Sequence, residues 1–493
     1  MIEQLPILNL LLLLSAALII PLLKKRNFNQ TLTFGFIVIL AVTISSGYLL
    51  YYVNENGAFT YDFGNHSSVF GIQLLINSFS TLFTFFIIFL TLLVYVYSTG
   101  DATEGVEEKE YGRYYILLFI LLFSMFGILY TNDLFNTYVF MEILSITTCS
   151  IISIKRKKEN YTASFRYVML NEIGSLSYLF GVALLYMITG YTNIELVSNS
   201  IQSVWQLYPA NIMTAVGFMV IGIGIKAAIF PFHIWLPDAH SHAPSSSSAI
   251  LSAIVVKVYI LILIKVLFNV FGIDILKALH MPTIILIVAG FGMIMGSFFA
   301  LAQTDVKRML GYSSVAQIGY IVLGIGLMSY VGLTAAFFHI ISHGFMKAAL
   351  FLSVGAVIYY KKIRKVNAFD GLGYQMPITM LVFSIAALGM IGIPLTSGFI
   401  SKLNLGIAAL SGGQWIFIVI IVLSGLLNAM YYLPILISAF LKDNSENQKK
   451  MHIEQPPIQM LIPLVIIASV IILLGVYPNI ITELLEKAAG TLI

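Results

Sequence analysis

The segment that decides the fold is residues 225–261, which read IKAAIFPFHIWLPDAHSHAPSSSSAILSAIVVKVYIL. It begins at the end of one apolar stretch and continues into another, and each stretch carries a lysine, Lys226 or Lys257. Between them, Pro231 interrupts the helical backbone, because proline has no N–H and its ring clashes with the preceding turn. The pattern predicts two membrane helices that hold buried cations on either side of a break.

The composition places the whole chain in lipid. Of the 493 residues, 59% are hydrophobic and 10% are charged, whereas soluble domains carry roughly 25% charged residues. Since about 20 apolar residues span the hydrocarbon core, we predict an all-α integral membrane protein with about 14 transmembrane helices. The predicted helices lie near 4–23, 31–52, 69–97, 114–130, 133–154, 164–189, 209–230, 246–268, 282–302, 308–329, 332–358, 376–404, 413–440 and 458–477.

Charge placement supports this count. When the connections between helices are numbered in chain order, the odd-numbered ones hold 19 of the 26 basic residues. The positive-inside rule predicts that these connections are cytoplasmic, with both termini outside the cell membrane. Lys277 lies in an even-numbered connection, and Lys265 lies close enough to a helix end to extend to the membrane surface. The 19 residues are Lys24, Lys25, Arg26, Lys109, Arg113, Lys155, Arg156, Lys157, Lys158, Arg166, Lys307, Arg308, Lys361, Lys362, Arg364, Lys365, Lys442, Lys449 and Lys450.

Several classes of function are excluded. The connections are too short for a soluble catalytic domain of about 100 residues or more. Lone Cys149 excludes a disulfide framework and a multi-cysteine zinc or iron–sulfur site within the chain, and neither a GxxxxGKS/T nor a GxGxxG motif occurs. We therefore expect no cofactor and no redox centre, with energy supplied by an ion gradient or a partner subunit. The net charge of +4 follows from topology and requires no nucleic-acid partner.

Four lysines lie inside apolar stretches, namely Lys226, Lys257, Lys347 and Lys402. An ionisable residue near the bilayer centre is costly, so it persists where it faces a polar interior and usually has a function there. A lysine balanced between burial and a nearby carboxylate can take up and release a proton. The alternative is a structural ion pair or a head group that extends to the interface.

Two glutamates are candidate partners for these lysines. Glu142 lies about ten residues into the fifth stretch, where a carboxylate needs a cation or must stay protonated. The alternative is a neutral carboxyl held by hydrogen bonds between helices. Glu172, in the sixth stretch, is a second candidate acid whose role stays open.

A histidine relay is predicted in the eleventh stretch, where His339, His343 and Lys347 follow one another at a spacing of four. At 3.6 residues per turn they share one face of a helix, and imidazole can pass protons to a lysine one turn away. Two histidines at this spacing can also bind zinc, but the glutamate of HExxH is missing. We therefore predict no metal here, and purely structural hydrogen bonding remains the other alternative.

A second histidine group lies in the segment quoted above. His233, His240 and His242 lie beside Asp238 among prolines and serines. Such a tract can bind metal, but its position at a helix junction favours cap and turn chemistry.

The breaks suggest an internal repeat. Lys226 lies five residues before Pro231, and Lys402 follows Gly392 and Pro394. The two broken helices, seventh and twelfth, are five helices apart, and an odd offset reverses the orientation of one relative to the other. Ion sites at such breaks are typical of inverted-repeat transporters.

This predicts four regions. They are an N-terminal three-helix segment (1–113), a first inverted five-helix repeat of helices 4–8 (114–268), a second of helices 9–13 (282–440), and a C-terminal helix with a short tail (458–493).

Five motifs together carry a family resemblance. They are LFNTYVFMEI (134–143), the segment 225–261, DVKRMLGYSSVAQIGY (305–320), HIISHGFMKAALFLSVGAVI (339–358) and GMIGIPLTSGFISK (389–402). Over roughly residues 110–410 the chain resembles the antiporter-like subunits shared by respiratory complex I, membrane-bound hydrogenases and Mrp-type Na⁺/H⁺ antiporters. Glu172 has no counterpart in that pattern, and the short tail excludes the longest members of the family.

The resemblance implies a proton relay within a hetero-oligomeric membrane complex. By it, Glu142 pairs with Lys226, Lys257 passes the proton inward, and His339, His343 and Lys347 lead to Lys402. The partners would be other membrane subunits, H⁺, lipid and, in an exchanger, Na⁺. The best prediction is an Mrp-type or hydrogenase-linked subunit, and the alternative is a proton-pumping subunit of NADH-quinone oxidoreductase.

Two predictions from other classes stay open. A stand-alone secondary transporter of a small solute also uses inverted repeats and broken helices, and solute-dependent transport by the single chain would favour it. A purely structural subunit would retain normal assembly and ion transport after substitution of both Lys226 and Lys257.

Overall fold

The computed structural model describes residues 2–24, 28–63, 71–101, 105–441 and 453–493. Among these residues, 13 helices are long and apolar enough to cross a membrane. Of the basic residues used above for topology, Lys25, Arg26, Lys442, Lys449 and Lys450 lie outside the described residues.

The helices are numbered here in chain order. They are α1 (Leu5–Lys24), α2 (Phe28–Asn56), α3 (Ser78–Asp101), α4 (Tyr111–Tyr130), α5 (Leu134–Ser153), α6 (Lys158–Thr189), α7 (Ile194–Val204), α8 (Pro209–Lys226), α9 (Trp235–His242), α10 (Ser245–Ala278), α11 (Met281–Leu301), α12 (Val306–Gly326), α13 (Tyr330–Lys361), α14 (Pro377–Ile391), α15 (Ser397–Ser411), α16 (Ile416–Leu441), α17 (Ile458–Val476) and α18 (Asn479–Gly490).

The predicted helices agree with this architecture. Each of the 14 apolar stretches contains a helix, and the twelfth is divided into α14 and α15, as its glycines and proline predicted. The seventh stretch is also broken, because α8 ends at Lys226 and the chain resumes a helix only at Trp235. An all-α membrane fold with broken seventh and twelfth helices is therefore confirmed.

Several boundaries were wrong by four residues or more, including the start of the sixth helix at Lys158 and the end of the twelfth stretch at Ser411, and three others bear on the fold. The third helix begins at Ser78, not near 69, because β2 (Gln73–Ile76) pairs in antiparallel fashion with β1 (Phe59–Asp62). The seventh helix ends four residues before 230. The eighth helix, α10, continues past 268 to Ala278. It contains a turn at Gly272, which has a φ of +74°.

The connections separate onto two faces, as the charge pattern predicted. On one face, which we call the odd-gap face, Val306 N–H donates to Arg364 O at 2.9 Å and Asn160 Nδ2 donates to His242 O at 2.9 Å. On the opposite face, the amide of Asn132 donates to Gln73 O at 2.9 Å. Which face is cytoplasmic stays a prediction.

Caps fix the starts of α5, α12 and α13, of which α5 and α13 carry candidate residues. Asp133 accepts a hydrogen bond from the amide of Asn136 at the start of α5, and Asp305 accepts one from Arg308 at the start of α12. Ser329 begins α13 in the same way. Such caps satisfy backbone donors that have no partner within the helix.

Three helices, α10, α12 and α13, form the centre of the molecule. The apolar windows of α10 and α13 are entirely buried, and that of α12 is nearly so. Outer helices instead expose apolar side chains at helical spacing. On α6 these are Phe165, Met169, Ile173, Leu176 and Phe180. This surface is typical of a helix facing lipid, and it leaves the interior free for polar groups.

The two predicted repeats have matching packing orders. In the first, α4 packs on α5, α5 on α6 and α6 on α8; in the second, α11 packs on α12, α12 on α13 and α13 on both α14 and α15. The inverted relation of the two units and the four region boundaries remain predictions.

The closest approach in the first unit is between α6 and α8. Gly174 and Gly222 lie against each other's backbone, and a Cβ on Gly222 would collide with Gly174 O and with the amide nitrogen of Tyr178. A Cβ on Gly174 would lie 3.3 Å from Cγ of Lys226. Small residues here therefore bring the lysine against α6, a common way for membrane helices to approach closely.

We predict that Gly222→Leu lowers the free energy of unfolding by about 1–3 kcal/mol, because the added side chain forces two backbones apart. The matched control is Gly217→Leu on the same helix, where a Cβ meets nothing within 4 Å. The thermal midpoint can be followed by the reactivity of the single thiol, Cys149. Equal midpoints for both variants would contradict this packing.

Candidate functional site

Lys226 and Glu142 form the ion pair that the sequence predicted. Lys226 Nζ lies 3.6 Å from Glu142 Oε1, and the lysine side chain is fully buried while that of Glu142 is 19% exposed. Nζ also donates to Ser145 Oγ at 2.6 Å, and Ser145 Oγ lies 3.1 Å from the hydroxyl of Tyr259. Lys226 ends α8, where the partial negative charge of the helix C-terminus favours a cation.

Glu172 joins this pair. It interacts electrostatically with both Glu142 and Lys226, across the close α6–α8 contact. The site therefore holds two carboxyl groups and one lysine, and it can accept a further proton without acquiring a net positive charge. The sequence left the role of Glu172 open, because its position on α6 gave no indication of which helix it faces.

Lys257 and Lys347 meet in the centre through serines. Lys257 Nζ donates to Ser252 O, and Ser252 Oγ lies 2.9 Å from Ser314 Oγ. Ser314 Oγ donates at 3.0 Å to Leu310 O, and the same carbonyl accepts from Lys347 Nζ at 2.7 Å. Residues Leu251–Val255 form a π-helical turn, a distortion that is frequent at functional sites.

The predicted histidines lie between the centre and the second break. His339 and His343 are fully buried, and their ring centroids are 5.9 Å apart. His339 Nδ1 lies 2.9 Å from Ser401 Oγ, and its ring stacks on Tyr320 at 5.4 Å. Neither ring nitrogen of His343 has a hydrogen-bond partner among the described residues, so water is its natural partner.

Lys402 lies at the second break. Its Nζ donates to Met390 O at 2.6 Å and to Ile391 O at 3.0 Å, the carbonyls left without helical partners where α14 ends. It also lies 4.9 Å from the centre of the Tyr320 ring, a cation–π distance. Left-handed φ at Gly392 and Leu395 turns the chain away so that these carbonyls stay accessible.

Sequence analysis missed a second polar line between Lys347 and Lys402. Lys347 Nζ donates to Ser313 Oγ, which lies 3.1 Å from the hydroxyl of Tyr432. The ring of Tyr432 lies 4.6 Å from that of its neighbour Tyr431.

Asn428 completes this line. Its Oδ1 accepts from the hydroxyl of Tyr431 at 2.5 Å, and its Nδ2 donates at 3.1 Å to Met390 O, which also accepts from Lys402. The signal that could have identified it is an asparagine inside the apolar stretch 413–440, since polar residues in membrane helices usually hydrogen-bond across helices.

The prediction that Lys265 extends to the membrane surface was wrong. Its side chain is buried, and Nζ donates to Thr131 O at 2.7 Å and contacts Ile128 O and Leu129 O at 3.3 and 3.4 Å. These carbonyls terminate α4, and a helix C-terminus attracts a cation. Lys265 is thus buried like the four predicted lysines, and its bonds to the end of α4 give it a structural role.

The second histidine group does not converge. His233 stacks on Phe230 at 5.4 Å, and His242 Nδ1 lies 2.8 Å from Asp238 O, which agrees with the predicted cap and turn chemistry. His240 does not fit that prediction, because it is fully buried and neither of its ring nitrogens has a partner among the described residues. In the part of the chain that the structure describes, no three His, Cys, Asp or Glu side chains are grouped as metal ligands.

Comparison with known proteins identifies relatives over the full length. A family model described as NADH:quinone oxidoreductase/Mrp antiporter, TM, matches residues 131–428. The N subunit of the NADH-quinone oxidoreductase of Desulforudis audaxviator is 33% identical, with 99% of each chain covered. The D subunit of the Na(+)/H(+) antiporter of Alkalihalophilus pseudofirmus is 30% identical, with 92% of this chain and 90% of the relative covered.

Solved structures share the fold. A chain of the membrane-bound sulfane sulfur reductase, an archaeal respiratory membrane complex, superposes with a TM-score of 0.90 at 28% identity, with 99% of this chain and 98% of that chain covered. A chain of the Mrp complex from Dietzia sp. DQ12-45-1b also gives 0.90, at 24% identity, with 100% and 97% covered. The latter shows likeness of fold alone.

We predict that Asn428→Leu lowers the free energy of unfolding by about 1–3 kcal/mol, because Tyr431, Ser297 and Met390 O lose a buried hydrogen-bond partner. Met430→Leu, at an exposed position on the same helix, is the control. The measurement is the thermal midpoint by tryptophan fluorescence. Equal unfolding temperatures for the two variants would show that the Asn428 side chain does not stabilise the protein through these hydrogen bonds.

Proposed function

This chain belongs to the NADH:quinone oxidoreductase/Mrp antiporter family, and from that premise we propose that it moves protons through its interior as one subunit of a multi-subunit membrane complex. The proposed path is Glu142, Lys226, Lys257, Lys347, His343, His339 and Lys402. The chain is a multi-pass membrane protein. We infer that it lies in the cell membrane with its odd-gap face toward the cytoplasm and both termini outside.

One observation supports the proposal most: the seven ionisable groups lie on five helices of the two predicted repeats, and all of them except Glu142 are buried. Between the two central lysines lie Ser252, whose carbonyl accepts from Lys257 and whose hydroxyl bonds that of Ser314, and Leu310 O, which accepts from both Ser314 and Lys347. Imidazoles, which both accept and donate protons, occupy the interval before Lys402. A line of this kind inside a membrane is typical of proton relays.

The ion pair is the proposed point of coupling. When Glu142 lies against Lys226, the carboxylate stabilises the protonated lysine; when the pair opens, the proton is less strongly held and moves toward Lys257. The 3.6 Å separation of Nζ and Oε1 supports this step, because it is close enough for strong attraction yet is not a tight bonded contact. Glu172 lies where it can hold a proton during the exchange.

Two kinds of complex are compatible with the relatives. The likeness to a Na(+)/H(+) antiporter chain favours cation/proton exchange, whereas the likeness to a chain of NADH-quinone oxidoreductase favours the membrane arm of a redox pump. We propose an Mrp-type or hydrogenase-linked subunit first and a pumping oxidoreductase subunit second. Other membrane subunits are the proposed partners in either case, and any redox centre would lie in them.

We predict that Glu142→Ala lowers Na⁺-dependent ΔpH formation by about tenfold or more in inverted vesicles bearing the whole complex, because Lys226 loses its carboxylate and the relay loses a proton-binding group. The matched control is Glu195→Ala, at an exposed glutamate of α7. The vesicles are assayed without any electron donor, with the amount of assembled complex measured in parallel.

The outcomes separate the proposals. Wild-type antiport that Glu142→Ala abolishes indicates an Mrp-type exchanger that uses this line. Wild-type activity that arises only after an electron donor is added indicates the pump arm of a redox complex. Unchanged activity in Glu142→Ala and in Lys226→Ala, with normal assembly, would refute the proposed path.

We further predict that protons pass from Lys347 to Lys402 through His343 and His339, and not through the second polar line of Ser313, Tyr432, Tyr431 and Asn428. His343→Gln should lower transport by roughly tenfold or more, since an amide does not bind a proton as imidazole does. Tyr432→Phe, which removes only the hydroxyl bonded to Ser313, should stay within about twofold of wild type. The reverse ranking of the two rates would assign the path to the tyrosines.

A further inference from the structure

His240 is a buried titratable group that the proposed path does not use. It lies in α9, and its side chain is fully buried. Neither Nδ1 nor Nε2 has a hydrogen-bond partner among the residues that the structure describes. An imidazole always carries at least one N–H donor, and a buried polar group without a protein partner is normally satisfied by water or used in chemistry.

On its inner side, His240 adjoins the central lysines. Its ring lies 5.1 Å from the ring of Phe351, and Lys347 Nζ lies 5.9 Å from the centre of that same ring. The charges of Lys347, Lys307 and Lys257 all act on His240. The histidine therefore stands one aromatic ring away from the middle of the proposed path.

Along the chain, His240 is followed directly by Ser241 and His242, which line a cavity at the odd-gap face, although His240 itself is not a lining residue. This cavity has a volume of about 530 Å³ and is lined in part by Asn160, Ser241, His242, Asp305 and Arg364. Arg364 Nη2 donates to Ser241 O at 2.8 Å, and Arg364 Nε lies 2.9 Å from Asp305 Oδ2. We expect a cavity with charged walls at this position to admit water.

Neighbouring basic groups are less suited to carry protons from this cavity. Lys307 Nζ is buried and donates to Ala243 O at 2.7 Å and to Ser245 Oγ at 3.4 Å, so it fixes the turn between α9 and α10. His242 already has a backbone partner at Nδ1. Of the two histidines, His240 is the one with neither ring nitrogen bonded to a described residue.

We propose that His240 is the group through which protons pass between the cavity at the odd-gap face and the central lysines, an inference that rests on the proposed function. In the step, a hydronium ion in the cavity gives its proton to one ring nitrogen and leaves water. The other nitrogen releases its own proton toward Lys347 or Lys257, and exchange of tautomers restores the ring. Charge and atoms balance, and water is the one co-reactant required.

The first test is aqueous access. With Cys149, the single native cysteine, replaced by serine, His240→Cys and Ala239→Cys are compared in the whole complex in sealed vesicles. The control, Ala239, is equally buried on the same helix. The probe is a membrane-impermeant, positively charged methanethiosulfonate reagent. We expect the thiol at 240 to react at least tenfold faster from the odd-gap face than from the other, and the thiol at 239 to stay unreactive.

The second test is transport. His240→Gln should lower the rate of ΔpH formation at least tenfold with normal assembly, while His280→Gln, at an exposed position on the opposite face, should leave it unchanged. A normal rate for His240→Gln beside a lost rate for Glu142→Ala overturns this inference and leaves the proposed function standing. Normal rates for both Glu142→Ala and Lys226→Ala, with normal assembly, overturn the proposed path itself. Equal thiol reactivity at 239 and 240 would also overturn the role of His240, whether or not His240→Gln assembles.

Discussion

The need to solvate buried ammonium groups governs this structure. A lysine inside a membrane protein must replace lost water with protein oxygen atoms, because an unpaired charge in a medium of low dielectric is very costly. Regular helices offer few such oxygens, since their carbonyls are already bonded. Lys226, Lys257, Lys265 and Lys402 each lie at a helix end, a break or a π turn, where carbonyls or hydroxyls are available. The irregularities of the backbone and the positions of the cations therefore depend on each other.

These partners are nearly all neutral, and this shapes the electrostatics. Among the described residues, the one ion pair of a buried relay lysine is that of Lys226 with Glu142. Lys257 and Lys347 face carbonyls and hydroxyls and also act on each other. Two like charges at short range repel, so the charge on one central lysine affects how firmly the other holds its proton. If the proposed path is correct, we expect it to transmit a local change at the ion pair through such charge interactions, without a large movement of the backbone.

Side-chain direction explains most of what sequence analysis missed. Lys265 was expected to reach the surface because it lay near the end of an apolar stretch, but the end of α4 lies beside it and attracts its ammonium. His240 was assigned to turn chemistry because its neighbours are prolines and serines, although its ring faces Phe351 in the interior. Asn428 lay within a stretch treated as uniformly apolar. In each case the residue type was visible, while the facing helix, which decides its chemistry, was not.

The sequence by itself determined the class of the protein, the approximate helices and the two breaks, because hydropathy and helical periodicity are local properties of a chain in lipid. The seven relay residues that it named stay a prediction. It also determined that odd and even connections lie on different faces. The tertiary structure alone decided that Glu172 joins the Glu142–Lys226 pair, that two carbonyls and two serine hydroxyls lie between the central lysines, and that the residues directly after His240 line a cavity at the odd-gap face. Those features depend on contacts between helices far apart in the chain, such as the close glycine-mediated approach of α6 and α8, and local patterns carry no information about which side chains meet.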